Sequence, residues 1–388
     1  MIYLDYAASA PPYEQVYACM TQVAAETFGN PSSLHGAGTA ARRLLRQSRQ
    51  QLAELVGFSP QNVLFTSGGT ESNNTALFSI INSPKRRIVV AATEHPSVLR
   101  AAEQLKARGF SVSYVLPDAQ GRILPETVRR LLDRDTALLS VHAVNNETGV
   151  VQDVAALADE AHRAGALYHC DAVQAFGHVE LPLSCADLVS LSGHKFGGPR
   201  GVGALLCKAG CLTSPFLVGG HQEFGLRAGT ENLPGIAGFT LAAELARREQ
   251  REEQLRLNAL SSFLWEQLHR EIPDLILHSG EALRFPGLMS LRFPGIIAEE
   301  MQSRLSEAGI CVGVGAACAS RDAAPSHVLT AMGLSEKEAG ETLRISLGRD
   351  TTEEEIRLAV QAMIARYKLC KKIRVSKERK AVYAIRPF

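Results

Sequence analysis

Ala186-Asp187-Leu188-Val189-Ser190-Leu191-Ser192-Gly193-His194-Lys195-Phe196-Gly197-Gly198-Pro199 runs from an apolar segment straight into a turn of small and hydrogen-bonding residues, with one lysine at the junction. Five apolar or small residues in a row read as a buried strand. A lysine at the end of such a strand, with Ser192 and His194 beside it, suits an amine that forms a Schiff base with an aldehyde cofactor while its neighbours hold a phosphate. Taken alone, the stretch is equally a surface lysine in a glycine turn. The surrounding chain decides between the two.

Working outward, short apolar runs alternate with helical patterns from about residue 40 to 210. Strands are expected at Asn62–Thr66, Arg87–Ala91, Ser111–Val115, Ala137–Val141, Ala166–Cys170, Asp187–Leu191 and Gly203–Leu206. Helices are expected between them, at Ser97–Arg108, Leu124–Leu132 and Asp153–Ala164. Strand–helix alternation implies an α/β fold with a mainly parallel sheet covered on both faces. In such sheets a ligand sits beyond the carboxyl ends of the strands.

Polar motifs fall at those ends. Thr66-Ser67-Gly68-Gly69-Thr70-Glu71-Ser72 follows a strand and opens a helix; Gly68 and Gly69 let backbone N–H groups approach an anion, and the Thr70 hydroxyl can donate to a phosphate. His95 ends a strand just before a helix, where an imidazole can stack on a flat ring and exchange protons, or simply flank the helix. Asp171 ends another strand, where a carboxylate can pair with a pyridinium nitrogen or cap the next helix. Gln174 lies three residues on, within reach of a ring's phenolic oxygen. Asn145-Asn146 suits a carboxylate or ring oxygen at a fourth strand end. Together these supply an anion cradle, a stacking imidazole, a pyridinium partner and a Schiff-base lysine, the parts of a pyridoxal 5'-phosphate site.

The ordered set Leu4-Asp5-Tyr6-Ala7-Ala8, Gly29-Asn30-Pro31-Ser32-Ser33, the Thr70, Glu94-His95, Asn145-Asn146-Glu147, Asp171–Gln174 and Lys195 motifs, and Arg227-Ala228-Gly229-Thr230-Glu231-Asn232 resembles the cysteine desulfurase family, from residue 2 to about residue 365. The resemblance implies a pyridoxal-phosphate-dependent transferase of fold type I, aspartate aminotransferase-like. It implies a large cofactor-binding domain over residues 15–249 with a mainly parallel seven-stranded sheet. A smaller α+β domain would take residues 1–14 plus 250–388. Lys195 would carry the cofactor and move the substrate's Cα proton, and His95 would stack on the ring and assist. Asp171 would pair with the ring nitrogen and Gln174 with the phenolic oxygen. Gly69, Thr70, Ser192 and His194 would hold the phosphate, joined by Thr230 from a partner subunit, so that a homodimer completes the site. Asn146 and Arg344 would hold the substrate carboxylate. A guanidinium fork matches a carboxylate bidentately, although Arg344 also reads as one half of a structural ion pair.

Gly315-Ala316-Ala317-Cys318, followed by Pro325-Ser326-His327-Val328-Leu329, resembles the family segment that holds the sulfur-accepting cysteine. Small residues around one thiol read as a loop, here about residues 313–325, that can carry a nucleophile to a cofactor and away again. A thiol is only a few per cent ionised near neutrality, so it needs activation. The implied reaction takes sulfur from L-cysteine, leaves L-alanine and a persulfide on Cys318, and passes the sulfur to an acceptor protein, an iron–sulfur scaffold or a tRNA thiolation enzyme. A selenocysteine lyase or an aminotransferase-like enzyme is the alternative on the same scaffold.

Composition agrees with an ordinary globular enzyme. Lys plus Arg is 41 against 40 Asp plus Glu, so net charge supplies no reason to expect nucleic acid or an acidic membrane as the main partner. No run approaches the ~20 apolar residues of a membrane span, and the N-terminal residues lack a signal-peptide pattern, which points to the cytoplasm. Eight scattered cysteines without a CxxC pair read as reduced thiols, and no metal site is expected. A charge-rich helix over Ala242–Leu257 is expected to join the domains. A final helix is expected over Thr352–Lys368, opened by acids in its first turn. The basic run Lys371–Lys380 is expected to be a solvated or partly disordered tail, with a docking arm as the alternative.

Overall fold

The computed structural model describes residues 1–212, 214–315 and 325–384, with side chains to residue 373; Cys318 lies outside the described residues. In chain order the elements are β1 (Ile2–Leu4), α1 (Glu14–Glu26), α2 (Gly36–Val56), β2 (Val63–Thr66), α3 (Gly69–Phe78), β3 (Arg87–Ala91), α4 (Pro96–Lys106), β4 (Ser111–Val115), α5 (Pro125–Leu131), β5 (Thr136–Ser140), α6 (Val154–Arg163), β6 (Leu167–Asp171), β7 (Leu188–Ser192) and β8 (Gly203–Cys207). Then follow α7 (Leu233–Glu271), β9 (Ile276–Leu277), β10 (Leu288–Arg292), α8 (Ala298–Glu307), β11 (Ile310–Val312), α9 (His327–Ala331), α10 (Glu336–Ala339), β12 (Thr342–Ser346) and α11 (Glu353–Ala384).

The expected sheet is present as seven strands in the order β2-β8-β7-β6-β5-β3-β4. Strands β3, β5, β6 and β7 read as near-continuous apolar runs because helices cover both faces; Ile88, Val89 and Val90 are fully buried. Strand β8 is antiparallel to both β2 and β7, and the remaining pairings are parallel. Strand β2 therefore points the same way as β7. At the head of β8, a Cβ on Gly203 would lie 2.6 Å from both Gly68 Cα and Leu191 O. Only glycine lets the reversed strand enter beside the β2 exit.

The second half of the chain forms a three-stranded antiparallel sheet, β12-β10-β9, and a parallel pair, β1-β11. Ile2 pairs with Ile310 and Leu4 with Val312, and Asp5 bridges to Ser346. The first residues thus run beside the last strands and continue toward Lys195. One apolar cluster joins this half to the large sheet, taking in Leu4, Val16, Phe239, Leu291 and Met363.

Two helices exceed the expected bounds. Helix α7 is continuous for 39 residues, about 58 Å at the α-helical rise. It contains the charged Ala242–Leu257 stretch and the 249/250 position at which the sequence reading divides the chain. Its charges occupy one side while Leu245, Leu257, Leu260, Leu264 and Leu268 are buried on the other. Helix α11 starts where expected, with Thr352 and Glu355 exchanging side-chain-to-backbone bonds of 2.9 and 3.2 Å. It does not stop at Lys368, however. The helix runs on to Ala384 and takes the whole basic run with it, because nothing from Leu369 to Ala384 is a glycine or proline that would end it.

A buried ion pair locks α2 to the turn that precedes α7. Arg49 meets Glu223 at 2.6 and 2.8 Å and also donates to Val63 O, while the same carboxylate accepts from Phe65 N at 2.9 Å. Glu223 and Phe224 both hold positive φ, 47° and 60°, rare for residues with side chains, so this anchoring offsets real backbone strain. Replacing Glu223 by Ala strands a buried guanidinium and a backbone N–H. A loss of about 3–5 kcal/mol is expected in chemical denaturation, while Arg49→Met in the same background should recover part of it.

Candidate active site

The carboxyl ends of β2, β3, β5, β6 and β7 share one edge of the large sheet, and the loops leaving them surround a cavity of about 290 Å³. Its lining includes Gly69, Thr70, His95, Asn146, Asp171, Gln174, Ser192, His194, Lys195 and Arg344. Ten expected site residues are therefore brought together. Thr230 is not among them. It lines a separate cavity with Ser67, Glu223 and Asn232. Cys318 falls outside the described residues.

Lys195 ends a single helical turn, Gly193–Lys195, directly after β7. The turn is tight because Phe196 N and Gly198 N both donate to Gly193 O, and a Cβ on Gly193 would meet Phe239 and Pro199 at 2.9 Å. The lysine Nζ donates to Ala7 O at 2.6 Å and Ala8 O at 3.1 Å, so the N-terminal segment supplies part of the site. Behind it, the His178 ring nitrogen bonds Lys195 O at 2.9 Å.

Asp171 is buried at the end of β6. Its carboxylate accepts from Asn73 Nδ2 at 2.6 Å and from Val173 N at 2.9 Å. Asn73 was not singled out from sequence. Its signal was spacing: it lies one helical turn beyond Thr70 on α3, on the same face. His95 caps α4, its Nδ1 accepting from Ser97 N at 3.1 Å and meeting Ser97 Oγ at 2.8 Å. Burial pushes His95 below the usual imidazole range; Asp171 opposes that shift and Lys195 adds to it. His194, 3.3 Å from Ser9 Oγ, is pushed down to about 4 by burial, with Lys195 and Arg200 contributing. Burial favours the neutral form of both rings.

Asn145 and Asn146 divide their work. Asn145 is structural: its Oδ1 accepts from Glu147 N and Thr148 N, and its Nδ2 donates to Thr93 O. Asn146 faces the cavity. Arg344 is buried and already engaged, with Nη2 2.8 Å from Asp5 Oδ1 and Nη1 donating to Asn146 O at 3.1 Å. The ion-pair alternative is thus realised in a cavity-lining residue. A Cβ on Gly313 would lie 2.9–3.0 Å from Asp5 and Arg344, so a glycine there is what lets the pair form. His142 also lines the cavity, its Nδ1 3.4 Å from buried Glu94. It went unnoticed because it sits in an apolar strand exit with no motif of its own.

The residues present fit pyridoxal phosphate. At one end, Gly68 holds φ 148° and a Cβ on Gly69 would strike Val173 Cγ2 at 2.7 Å, so backbone N–H groups at the start of α3 stay open to an anion beside Thr70, Ser192 and His194. Deeper in lie a buried carboxylate for a ring nitrogen and Gln174, whose Oε1 has no hydrogen-bond partner among the described residues. No His/Cys/Asp/Glu group able to hold a metal occurs among the described residues, and the seven described cysteines are free thiols. Among the described residues, no helix is long and apolar enough to cross a membrane.

The sequence pattern of the family described as aminotransferase class-V matches residues 2–358. The chain is 35% identical over 367 residues to the cysteine desulfurase IscS of Dictyoglomus turgidum, covering 93% of each chain. It is 39% identical over 383 residues to a cysteine desulfurase of Sinorhizobium fredii, covering 97% of this chain and 98% of the relative. Among solved structures, a NifS-like protein superposes with a TM-score of 0.88 at 33% identity, covering 95% of this chain and 99% of that one. A structure described as SspA in complex with cysteine superposes with a TM-score of 0.80 at 33% identity, covering 90% and 99%.

Three histidines, the buried His169 and His278 and the half-buried His194, are each pushed down to about 4, chiefly by loss of solvent. In the unfolded chain an imidazole titrates near 6.5. Between those values the unfolded chain binds more protons, so stability is full above about pH 6.5 and is lost as the pH falls toward 4. The thermal midpoint is expected to fall steadily over that window, and His278→Gln should make the fall shallower in the same melting series.

Proposed function

The chain belongs to the aminotransferase class-V family, and on that premise we propose that it is a cysteine desulfurase, converting L-cysteine to L-alanine with sulfur captured on Cys318. The observation that carries the reading is the convergence of Lys195, Asp171, Gln174, His95 and a glycine-opened helix start on one cavity. The cysteine desulfurases among its relatives, and a cysteine-bound structural neighbour, support the substrate.

Pyridoxal phosphate, when bound, supplies an electron-withdrawing ring that stabilises negative charge at the Cα of an attached amino acid. Gly69, Thr70, Ser192 and His194 would hold its phosphate. Asp171, oriented by Asn73 and Val173 N, would keep the ring nitrogen protonated, and Gln174 would reach the phenolic oxygen. His95 would pack against the ring face. Asn146 and Arg344 take the substrate carboxylate, with Arg344 aimed by Asp5. Lys195 Nζ removes the Cα proton. Its Nζ is aimed by the carbonyl oxygens of Ala7 and Ala8.

Sulfur leaves by displacement. The Cys318 thiolate attacks the substrate sulfur; an S–S bond forms, the substrate's Cβ–S bond breaks and its electron pair goes to Cβ, which takes up the proton that the Cys318 thiol gave up, and Lys195 returns the proton to Cα. The products are alanine and a Cys318 persulfide, and atoms balance without an external oxidant or reductant. Delivery follows to an acceptor protein, an iron–sulfur scaffold or a tRNA thiolation enzyme.

A homodimer belongs to this reading, with Thr230 reaching the partner's phosphate group. In support, Thr230 sits away from its own cavity, and Phe28, Leu34, Val218 and Phe224 are exposed, at 80%, 91%, 85% and 58%. The reading also divides the molecule near residues 14 and 249, and its free thiols suit the cytoplasm.

The test is alanine release from L-cysteine by the yellow holoenzyme beside Cys318→Ala and Lys195→Ala. Wild type is expected to release alanine. Cys318→Ala should keep its colour and lose turnover by at least about 100-fold, the scale of removing a nucleophile. Lys195→Ala should lose the cofactor's visible band as well. Equal release by wild type and Cys318→Ala would sink the assignment of the nucleophile.

A further inference from the structure

Gly315 and Ser326 bracket the segment that carries Cys318, and they meet. A Cβ on Gly315 would lie 3.5 Å from Ser326 Cβ and 3.9 Å from Glu147 Oε2. The Ser326 hydroxyl donates to that same Glu147 oxygen, at 2.5 Å, while its Oγ accepts from Leu329 N at 3.2 Å to cap α9. The next residue, His327, bonds Glu94 O through Nε2 at 2.9 Å. On the other side, Gly313 exchanges both backbone bonds with Arg344, at 2.9 and 2.8 Å.

Glu147 is well placed to be an anchor. It is 2% exposed, and its backbone N–H is held by Asn145 Oδ1 in a turn tied to Thr93 O. Its neighbour Asn146 lines the substrate cavity. A buried carboxyl costs free energy unless it does something there. Burial raises its pKa, and Ser326, His327 and Arg344 pull the other way. Its second oxygen, Oε1, has no partner among the described residues.

We propose that Glu147 and Ser326 form a pin that fixes Ser326, the residue after the Cys318 segment, beside Gly315 and the substrate cavity, so that Glu147 is a positioning residue for sulfur transfer to Cys318. The proposal rests on the reading of Cys318 as sulfur acceptor. It assigns Glu147 and Ser326 no contact with substrate. Their effect is on how often the thiol reaches productive geometry, a property to which rates are steeply sensitive. Loss of the pin lowers the rate of persulfide formation and leaves cysteine binding alone.

The experiment compares holoenzyme of wild type, Ser326→Ala, Glu147→Ala, Glu147→Gln and Cys318→Ala in a single turnover. Three quantities are read: cysteine binding by the shift of the visible band, persulfide by intact mass, and the thermal midpoint. Ser326→Ala and Glu147→Ala are expected to bind cysteine at the wild-type half-saturation and to form persulfide roughly tenfold more slowly, the scale of one net hydrogen bond. Glu147→Gln keeps an acceptor of the same shape and is expected to recover most of the rate lost in Glu147→Ala. Wild-type persulfide rates in Ser326→Ala and Glu147→Ala, with Cys318→Ala uncharged, overturn the pin and leave the functional reading standing. Weakened cysteine binding that accounts for the slower rate also overturns it. Persulfide formed in Cys318→Ala overturns the functional reading and the pin together.

Discussion

Strand β8 alone runs backwards, and the site depends on that. Reversing one strand between β2 and β7 lets both point the same way without being neighbours. The anion cradle after β2 and the lysine after β7 then open on the same edge as Asp171 and His95. Had β8 been parallel, its own exit loop would occupy the space between the cradle and Lys195. The cost falls on Gly203 and Gly193, where backbone segments pass too closely for any side chain, and on Gly68, whose φ of 148° suits only glycine. Backbone proximity makes Gly203 and Gly193 irreplaceable, and freedom of φ does so for Gly68.

The charge pattern inside the cavity follows from burial. Burial favours neutral imidazoles at His95 and His194, while the two basic side chains Lys195 and Arg344 are each tied by groups from the first eight residues. Arg344 is shared between Asp5 and Asn146 O, which spends part of its hydrogen-bonding capacity on alignment. A planar guanidinium clamped on two sides presents its remaining edge in a defined direction. The same logic applies to Asp171, whose two backbone and side-chain donors leave a carboxylate of fixed orientation. Preorganisation here is built from ordinary hydrogen bonds to groups that are themselves immobile.

How much of this was legible in the sequence depends on whether the signal was local. Strands such as Arg87–Ala91 and Ser111–Val115 were readable to the residue, because apolar, β-branched runs end in turn residues. The strand-end motifs were readable for the same reason, and ten of the expected residues line one cavity. Helix α7 was read short, since its charged middle hides a buried stripe on the opposite side. Helix α11 was ended too early on charge, although nothing in it breaks a helix. The reversal of β8, the pairing of Ile2 with Ile310 and the clamp of Asp5 on Arg344 had no local trace at all. The last two join residues more than three hundred positions apart and have no sequence period. Asn73 is the intermediate case: helical spacing from Thr70 pointed at it, but only the position of Asp171 gives it a purpose.

The pairing of β1 with β11 also sets an order of events during synthesis. Residues 2–8 leave the ribosome first, yet their partners at Ile310–Val312 and Arg344 come near the end. Until then the large sheet can assemble and pack its own helices, since all seven of its strands lie before residue 208. Lys195, however, lacks the carbonyls of Ala7 and Ala8 in place, and Arg344 does not yet exist. The nascent chain therefore passes through a stage with a folded sheet and an unfinished cavity, and competence arrives in a single late step when the oldest residues are captured by the newest.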